Sequence, residues 1–229
     1  MPSLRECTDT PKLTAALTQH VAKRLKEDLA RQEQAVLVVS GGRSPVALFQ
    51  ALATQALVWS RVVITLTDER WVPPDHADSN EALVRTHLLK QRAAMASFLP
   101  FWTGDATPEA AAQSLCASLL ELPSPFSTLV LGMGEDGHMA SLFPGSAELA
   151  AGLITPDPVL AVNPTLAAHA RMSLSLNRIL QSRDIVLMFS GAAKRQVLEE
   201  ALGEGPVEDL PVRAILRQSA VPVSIYWAP

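Results

Sequence analysis

Four short, unbroken apolar runs constrain what this chain can fold into: Ala35 to Val39, Val62 to Leu66, Thr128 to Leu131 and Ile185 to Phe189. None alternates apolar with polar residues, so none suits a sheet with one wet face. Each reads as a parallel strand covered on both sides. Helical segments are predicted between them at about 45–57, 79–91, 108–121 and 192–202, with Ser44-Pro45 and Thr107-Pro108 as start signals. Ahead of them, Thr10 and Pro11 read as a cap and first-turn proline, and Leu13, Leu17, Val21, Leu25 and Leu29 then form an apolar stripe. Strands that alternate with helices imply an α/β fold, a mostly parallel sheet flanked by helices. Further strands are expected near 159–162, 172–176 and 221–227, with a short helix near 211–217. No linker, charge block or low-complexity stretch divides the chain, so residues 1–229 are expected to form one domain.

Charge and composition narrow the function. With 19 Lys+Arg against 23 Asp+Glu and a net charge of −4, the chain has no basic stripe for nucleic acid. No apolar stretch is long enough to cross a bilayer, and Met1 to Glu6 does not resemble a secretory leader, so a cytoplasmic protein is expected. Cys7 and Cys116 stand far apart, without companions at metal-ligand spacing, so neither a disulfide nor a bound metal is expected. The expected partner is a small molecule, and the chain a monomer or weak homo-oligomer.

Chemistry gathers where the apolar runs end. The first run opens into Ser40-Gly41-Gly42-Arg43-Ser44, the second into Asp68-Glu69-Arg70, and the third into Gly132-Met133-Gly134-Glu135-Asp136-Gly137-His138. The fourth echoes the first: Ser190-Gly191-Ala192-Ala193-Lys194 again follows a strand with Ser-Gly and then a cation near a helix start. Helix starts carry unpaired N–H groups and partial positive charge, which suits phosphate. His138 follows three glycines that allow close approach to a ligand, and Asp136 is near enough in sequence to hold its ring. Asp78-Ser79-Asn80 reads as a helix cap, with Asn80 a second candidate for substrate contact.

Gly132, Gly134 and Gly137 also spell a dinucleotide-binding turn, but Pro144 and Gly145 interrupt the helix such a turn must open. No nucleophile elbow, Walker loop or H-E-x-x-H pair is present. Histidine-assisted attack by water is the simplest hydrolytic scheme that remains.

Ser40-Gly41-Gly42, Asp68-Glu69-Arg70-Trp71-Val72-Pro73, Asp78-Ser79-Asn80 and Leu131 through His138 resemble the motifs of the 6-phosphogluconolactonases across most of the chain. The resemblance implies a sugar-phosphate isomerase-like Rossmannoid fold, shared with glucosamine-6-phosphate deaminases. Arg70 after the Asp-Glu pair, and Ala140 to Gly145 after the histidine, resemble lactonases rather than deaminases. The implied reaction is hydrolysis of 6-phospho-D-glucono-1,5-lactone to 6-phosphogluconate, in the oxidative pentose phosphate pathway and without a cofactor. His138 is then the expected general base, oriented by Asp136, with Arg70 and loop N–H groups on the oxyanion or ligand. Arg43, Arg171 and Lys194, with the Ser40–Ser44 turn, are the candidates for the phosphate. Asp68, Glu69, Asn80, Gly134 and Gly137 complete the expected site. Which cation meets phosphate and which meets the ring stays open, as do two rival readings: a deaminase or isomerase of an amino-sugar phosphate, and a sugar-phosphate-sensing domain.

Overall fold

The computed structural model describes residues 2–165 and 167–229. Ten strands and eight helices follow one another along it. The first half contains β1 (Ser3–Glu6), α1 (Thr10–Leu29), β2 (Ala35–Val39), α2 (Val46–Ala53), β3 (Val62–Leu66), β4 (Asp68–Arg70), α3 (Asn80–His87), β5 (Ser97–Phe98) and α4 (Pro108–Leu120). The second half contains β6 (Thr128–Leu131), α5 (Leu149–Ile154), β7 (Val159–Val162), β8 (Arg171–Leu174), α6 (Leu176–Leu180), β9 (Ile185–Ser190), α7 (Ala192–Leu202), α8 (Arg213–Arg217) and β10 (Val223–Ala228).

Seven strands form a parallel sheet in the order β1-β10-β9-β6-β2-β3-β5. The four unbroken apolar runs are its adjacent central strands β9, β6, β2 and β3, and every residue in them except Ser190 is buried. Helices cover both faces, which is why none of these strands alternates. The parallel α/β expectation therefore holds.

Several local expectations change. Strands β7 and β8 leave the main sheet and pair antiparallel with β4 in a second sheet of order β4-β8-β7. The strand expected at 172–176 ends at Leu174 because Ser175 turns the chain into α6, its side chain accepting from Arg178 N. Asp9, rather than Thr10, caps α1, with its carboxylate accepting from Lys12 N at 2.7 Å. Thr107 caps α4 as expected, whereas α2 starts at Pro45 with no side-chain cap at all. Helix α3 stops at His87, short of the expected 91.

Helix α1 packs its leucine stripe inward, and its His20 reaches the amino-terminal edge of the sheet. There His20 Nε2 lies 2.8 Å from Asp184 Oδ2 and Nδ1 lies 2.8 Å from the Tyr226 hydroxyl, while Thr128 donates to the same Asp184 oxygen. This polar knot joins α1, β6, β9 and β10 at the edge opposite the functional strand ends. Leu17, the second residue of the stripe, is fully buried. Leu17→Ala is expected to lower unfolding free energy by about 2–5 kcal/mol in urea titration, through lost burial and the cavity left behind.

Candidate active site

The central sheet opens at one place by its own topology. Strand β2 lies between β3 and β6, and the chain leaves β2 toward β3 but leaves β6 toward β9. Connections that depart in opposite directions part the carboxyl ends of neighbouring strands and leave a crevice. Ser40 holds its floor. Its backbone N–H and its hydroxyl both donate to Val130 O, at 3.1 and 3.0 Å, and Gly132 N donates back to Oγ at 3.3 Å. The Thr67 hydroxyl lies 2.9 Å away, so β3 is tied to the same point. Above this floor is a cavity of about 380 Å³.

The histidine loop rises from the end of β6. Gly134 N donates to His138 O and Gly137 N to Gly134 O, closing a tight turn, and Gly137 adopts a left-handed φ of 74°. Asp136 Oδ1 lies 2.6 Å from His138 Nδ1 and also accepts from His138 N at 3.2 Å. A Cβ on Gly134 would lie 2.1 Å from His138 Nδ1 and 2.3 Å from Asp136 Oδ1, so this pair can pack here only against a glycine. Desolvation works to raise the Asp136 pKa, but the hydrogen bond and charge of His138 outweigh it and hold the group below the ordinary carboxylate value. The ionised carboxylate accepts from Nδ1–H, which leaves the Nε2 lone pair as the basic position of the neutral ring. The Phe143 ring packs against the imidazole, with centroids 4.5 Å apart.

Cations converge on the same cavity. Arg43, Arg70, Arg171 and Lys194 line it, and among the described lining residues Asp68 is the one carboxylate. Arg171 is only 8% exposed and its Nε has no hydrogen-bond partner among the described residues. Burial pushes its pKa below the ordinary guanidinium value, with Asp68 acting against the fall and Arg70 adding to it. Arg70 is steadied by donating from Nη1 to Asp78 O. Lys194 stands in the first turn of α7, which starts at Gly191 with no side-chain cap, and Arg43 and Ser44 precede the equally uncapped α2. Two helix starts thus offer free N–H groups beside positive side chains, the arrangement that binds phosphate.

The structure brings together Ser40, Gly41, Gly42, Arg43, Ser44, Asp68, Arg70, Asn80, Gly134, His138, Arg171 and Lys194 along the cavity wall. Asp136 and Gly137 stand behind the wall, shaping the loop. Glu69 is a correction: it does not reach the cavity. Side chains on a strand alternate, so Asp68 and Arg70 face one way and Glu69 the other. Glu69 is fully buried and accepts from Arg70 N, Asn80 N, Glu81 N and the Ser79 hydroxyl, pinning the start of α3. Asn80 then donates from Nδ2 to Asp68 O, and a Cβ on Gly41 would lie 1.7 Å from its Oδ1. That Oδ1 is buried against Gly41 with no partner among the described residues. Two residues of the lactonase-like Ala140–Gly145 segment gain roles that the sequence did not assign them: Phe143, whose ring packs at a tilt against His138, and Ser141, whose hydroxyl donates to Asp68 Oδ2 at 2.7 Å.

A sequence profile described as "Glucosamine-6-phosphate isomerases/6-phosphogluconolactonase" matches residues 8–227. The chain belongs to this family. It is 44% identical over 216 residues to a 6-phosphogluconolactonase of Pseudomonas aeruginosa, covering 93% of this chain and 89% of the relative. It is 40% identical over 219 residues to one of Rhizobium meliloti, covering 95% and 94%. Among solved structures, a 6-phosphogluconolactonase from Shewanella baltica superposes with a TM-score of 0.99 at 42% identity, covering 100% of this chain and 98% of that one.

Two outcomes follow from the geometry alone. Gly134→Ala is expected to leave a folded protein in which the His138–Asp136 bond is broken, read as loss of the downfield Nδ1–H proton resonance by NMR. Burial raises the Glu69 pKa from 4.5 to about 7 against the pull of its backbone donors. Because the folded-state pKa is the higher one, its contribution to stability is full below pH 4.5 and is lost as pH rises through about 7. Urea titrations across that window should show the slope in the parent and a flatter profile in Glu69→Gln.

Proposed function

We propose that this chain is a 6-phosphogluconolactonase, hydrolysing 6-phospho-D-glucono-1,5-lactone to 6-phospho-D-gluconate in the oxidative pentose phosphate pathway of the cytoplasm. The observation that carries the reading is one cavity holding both an Asp136-oriented imidazole and four cations, in a chain whose net charge is negative. The family relationship and the lactonase names of relatives near 40% identity support the choice of substrate. Described residues include no helix long and apolar enough to cross a membrane. The reading treats residues 1–229 as one domain, supported by a continuous hydrophobic cluster and by β1 pairing with β10, and takes the chain as monomeric or weakly self-associating.

Each step has a residue to perform it. A water between His138 and the lactone carbonyl carbon gives its proton to Nε2 as its oxygen bonds to that carbon. The imidazolium formed is stabilised through Nδ1–H by the Asp136 carboxylate. Negative charge gathers on the carbonyl oxygen, where Arg70 and loop N–H groups offset it. When the bond from the carbonyl carbon to the ring oxygen breaks, that oxygen takes the proton back from Nε2, leaving a carboxylic acid that ionises at neutral pH. The phosphate, close to doubly charged at neutral pH, is received by Arg43, Arg171 and Lys194 with the Ser40–Ser44 turn. Asn80, on the cavity wall, stands where it can meet a sugar hydroxyl.

The test generates the lactone in situ and follows 6-phosphogluconate by coupled NADP reduction. His138→Ala is expected to lose roughly 100- to 10,000-fold in kcat with little change in 6-phosphogluconate affinity. Parental turnover in that variant would remove His138 from the mechanism. Lys194→Ala should mainly raise KM, as loss of an interaction made equally before and during reaction does. Ammonia release from glucosamine 6-phosphate without lactone hydrolysis would replace the reading with a deaminase.

A further inference from the structure

We infer that His76, Asp78 and His169 form a binding site for one first-row transition-metal dication of the zinc class, beside Arg70 at the rim of the cavity. Their ligand atoms lie within 4.8 Å of one another, the one such group of histidine, cysteine and carboxylate side chains among the described residues. His169 Nε2 is 2.9 Å and His76 Nδ1 is 3.9 Å from the same oxygen, Asp78 Oδ2. The two rings stand edge to face with centroids 5.4 Å apart. Zinc takes imidazole nitrogen and carboxylate oxygen at about 2.0–2.2 Å. Closing the group around one ion takes side-chain rotations that also release His76 Nδ1 from Asp78 N, from which it accepts at 3.0 Å, and all three side chains have solvent room for them, at 43%, 53% and 30% exposed for His76, Asp78 and His169.

The donor set decides the class of ion. Two imidazoles with one carboxylate favour zinc, cobalt, nickel or copper over magnesium and calcium, which prefer oxygen ligands throughout. Three protein ligands leave a coordination position for water. His169 is held in a left-handed backbone conformation, φ 67°, that directs its ring to Asp78. No sequence spacing signals the site, because His169 lies 91 residues from Asp78.

The placement ties the ion to the cavity without making it part of the His138 chemistry. Asp78 O accepts from Arg70, and Trp71 N donates to Ala170 O, so the segments bearing the ligands already touch beside a cavity residue. A bound dication would clasp the His76–Asp78 segment to His169.

The test uses tag-free full-length protein, equilibrium dialysis with Co²⁺ and Zn²⁺, and the visible ligand-field bands of Co²⁺. One Co²⁺ per chain is expected, displaced by Zn²⁺ but not by an equal concentration of Mg²⁺. His169→Ala and Asp78→Ala should each weaken binding by roughly 100-fold or more, while His138→Ala leaves it unchanged, with circular dichroism confirming that each variant is folded. Absent bands, bands that survive His169→Ala, displacement by Mg²⁺, or bands lost only in His138→Ala would each overturn the assignment.

Discussion

The departure of the chain in opposite directions from the adjacent strands β2 and β6 is the constraint on which the rest of this structure depends. A parallel sheet buried on both faces cannot hold a ligand within itself, so a site must form where neighbouring strands send their chains to opposite sides. Ser40 fixes that point with three hydrogen bonds to the β6 end and a contact to Thr67 after β3. Turns that are 30 to 150 residues apart in sequence therefore open onto one floor. The strand ends carry the His138 loop, the Arg43 turn, the Asp68–Arg70 strand and Lys194 to this point, and the Ser141–Asp68 and Asn80–Asp68 hydrogen bonds tie segments together there.

Electrostatics then gives the opening its chemistry. Four cations against Asp68 leave the cavity positive, and Asp68 is itself engaged by Thr67 and Ser141. Placing Arg171 there, with a buried nitrogen that has no partner among the described residues and with Arg70 opposing its charge, costs stability. Under the proposed function, the anionic substrate offsets this charge. In the His138–Asp136 pair, a carboxylate that stays ionised fixes the proton on Nδ1 and leaves the Nε2 lone pair free, as the proposed attack by water requires.

Much of this was legible in the sequence. The central strands were marked by apolar runs without alternation, and the site by glycine-rich turns that end them. What escaped has physical reasons. Strand β1, Ser-Leu-Arg-Glu, is exposed along its whole length, and β5 is two residues long, so neither carries an apolar signature. Helices α5 and α6 span six and five residues, too short to show a period. Glu69 was grouped with Asp68 and Arg70 because the triplet reads as one charged unit, yet strand alternation turns it away from the ligand and onto the N–H groups of α3. The His76–Asp78–His169 cluster was invisible because only antiparallel pairing of β4 with β8 brings the two segments together. Long-range placement, rather than residue type, is what sequence reasoning lacked.

The central claim is that distant strand ends form one anion-binding pocket with the imidazole at its reactive end. A crystal structure with 6-phosphogluconate bound tests it most directly. The account predicts the product's phosphate among cavity cations and its carboxylate within hydrogen-bond reach of His138 Nε2. A product lodged elsewhere, or an imidazole turned away from that carboxylate, would contradict it.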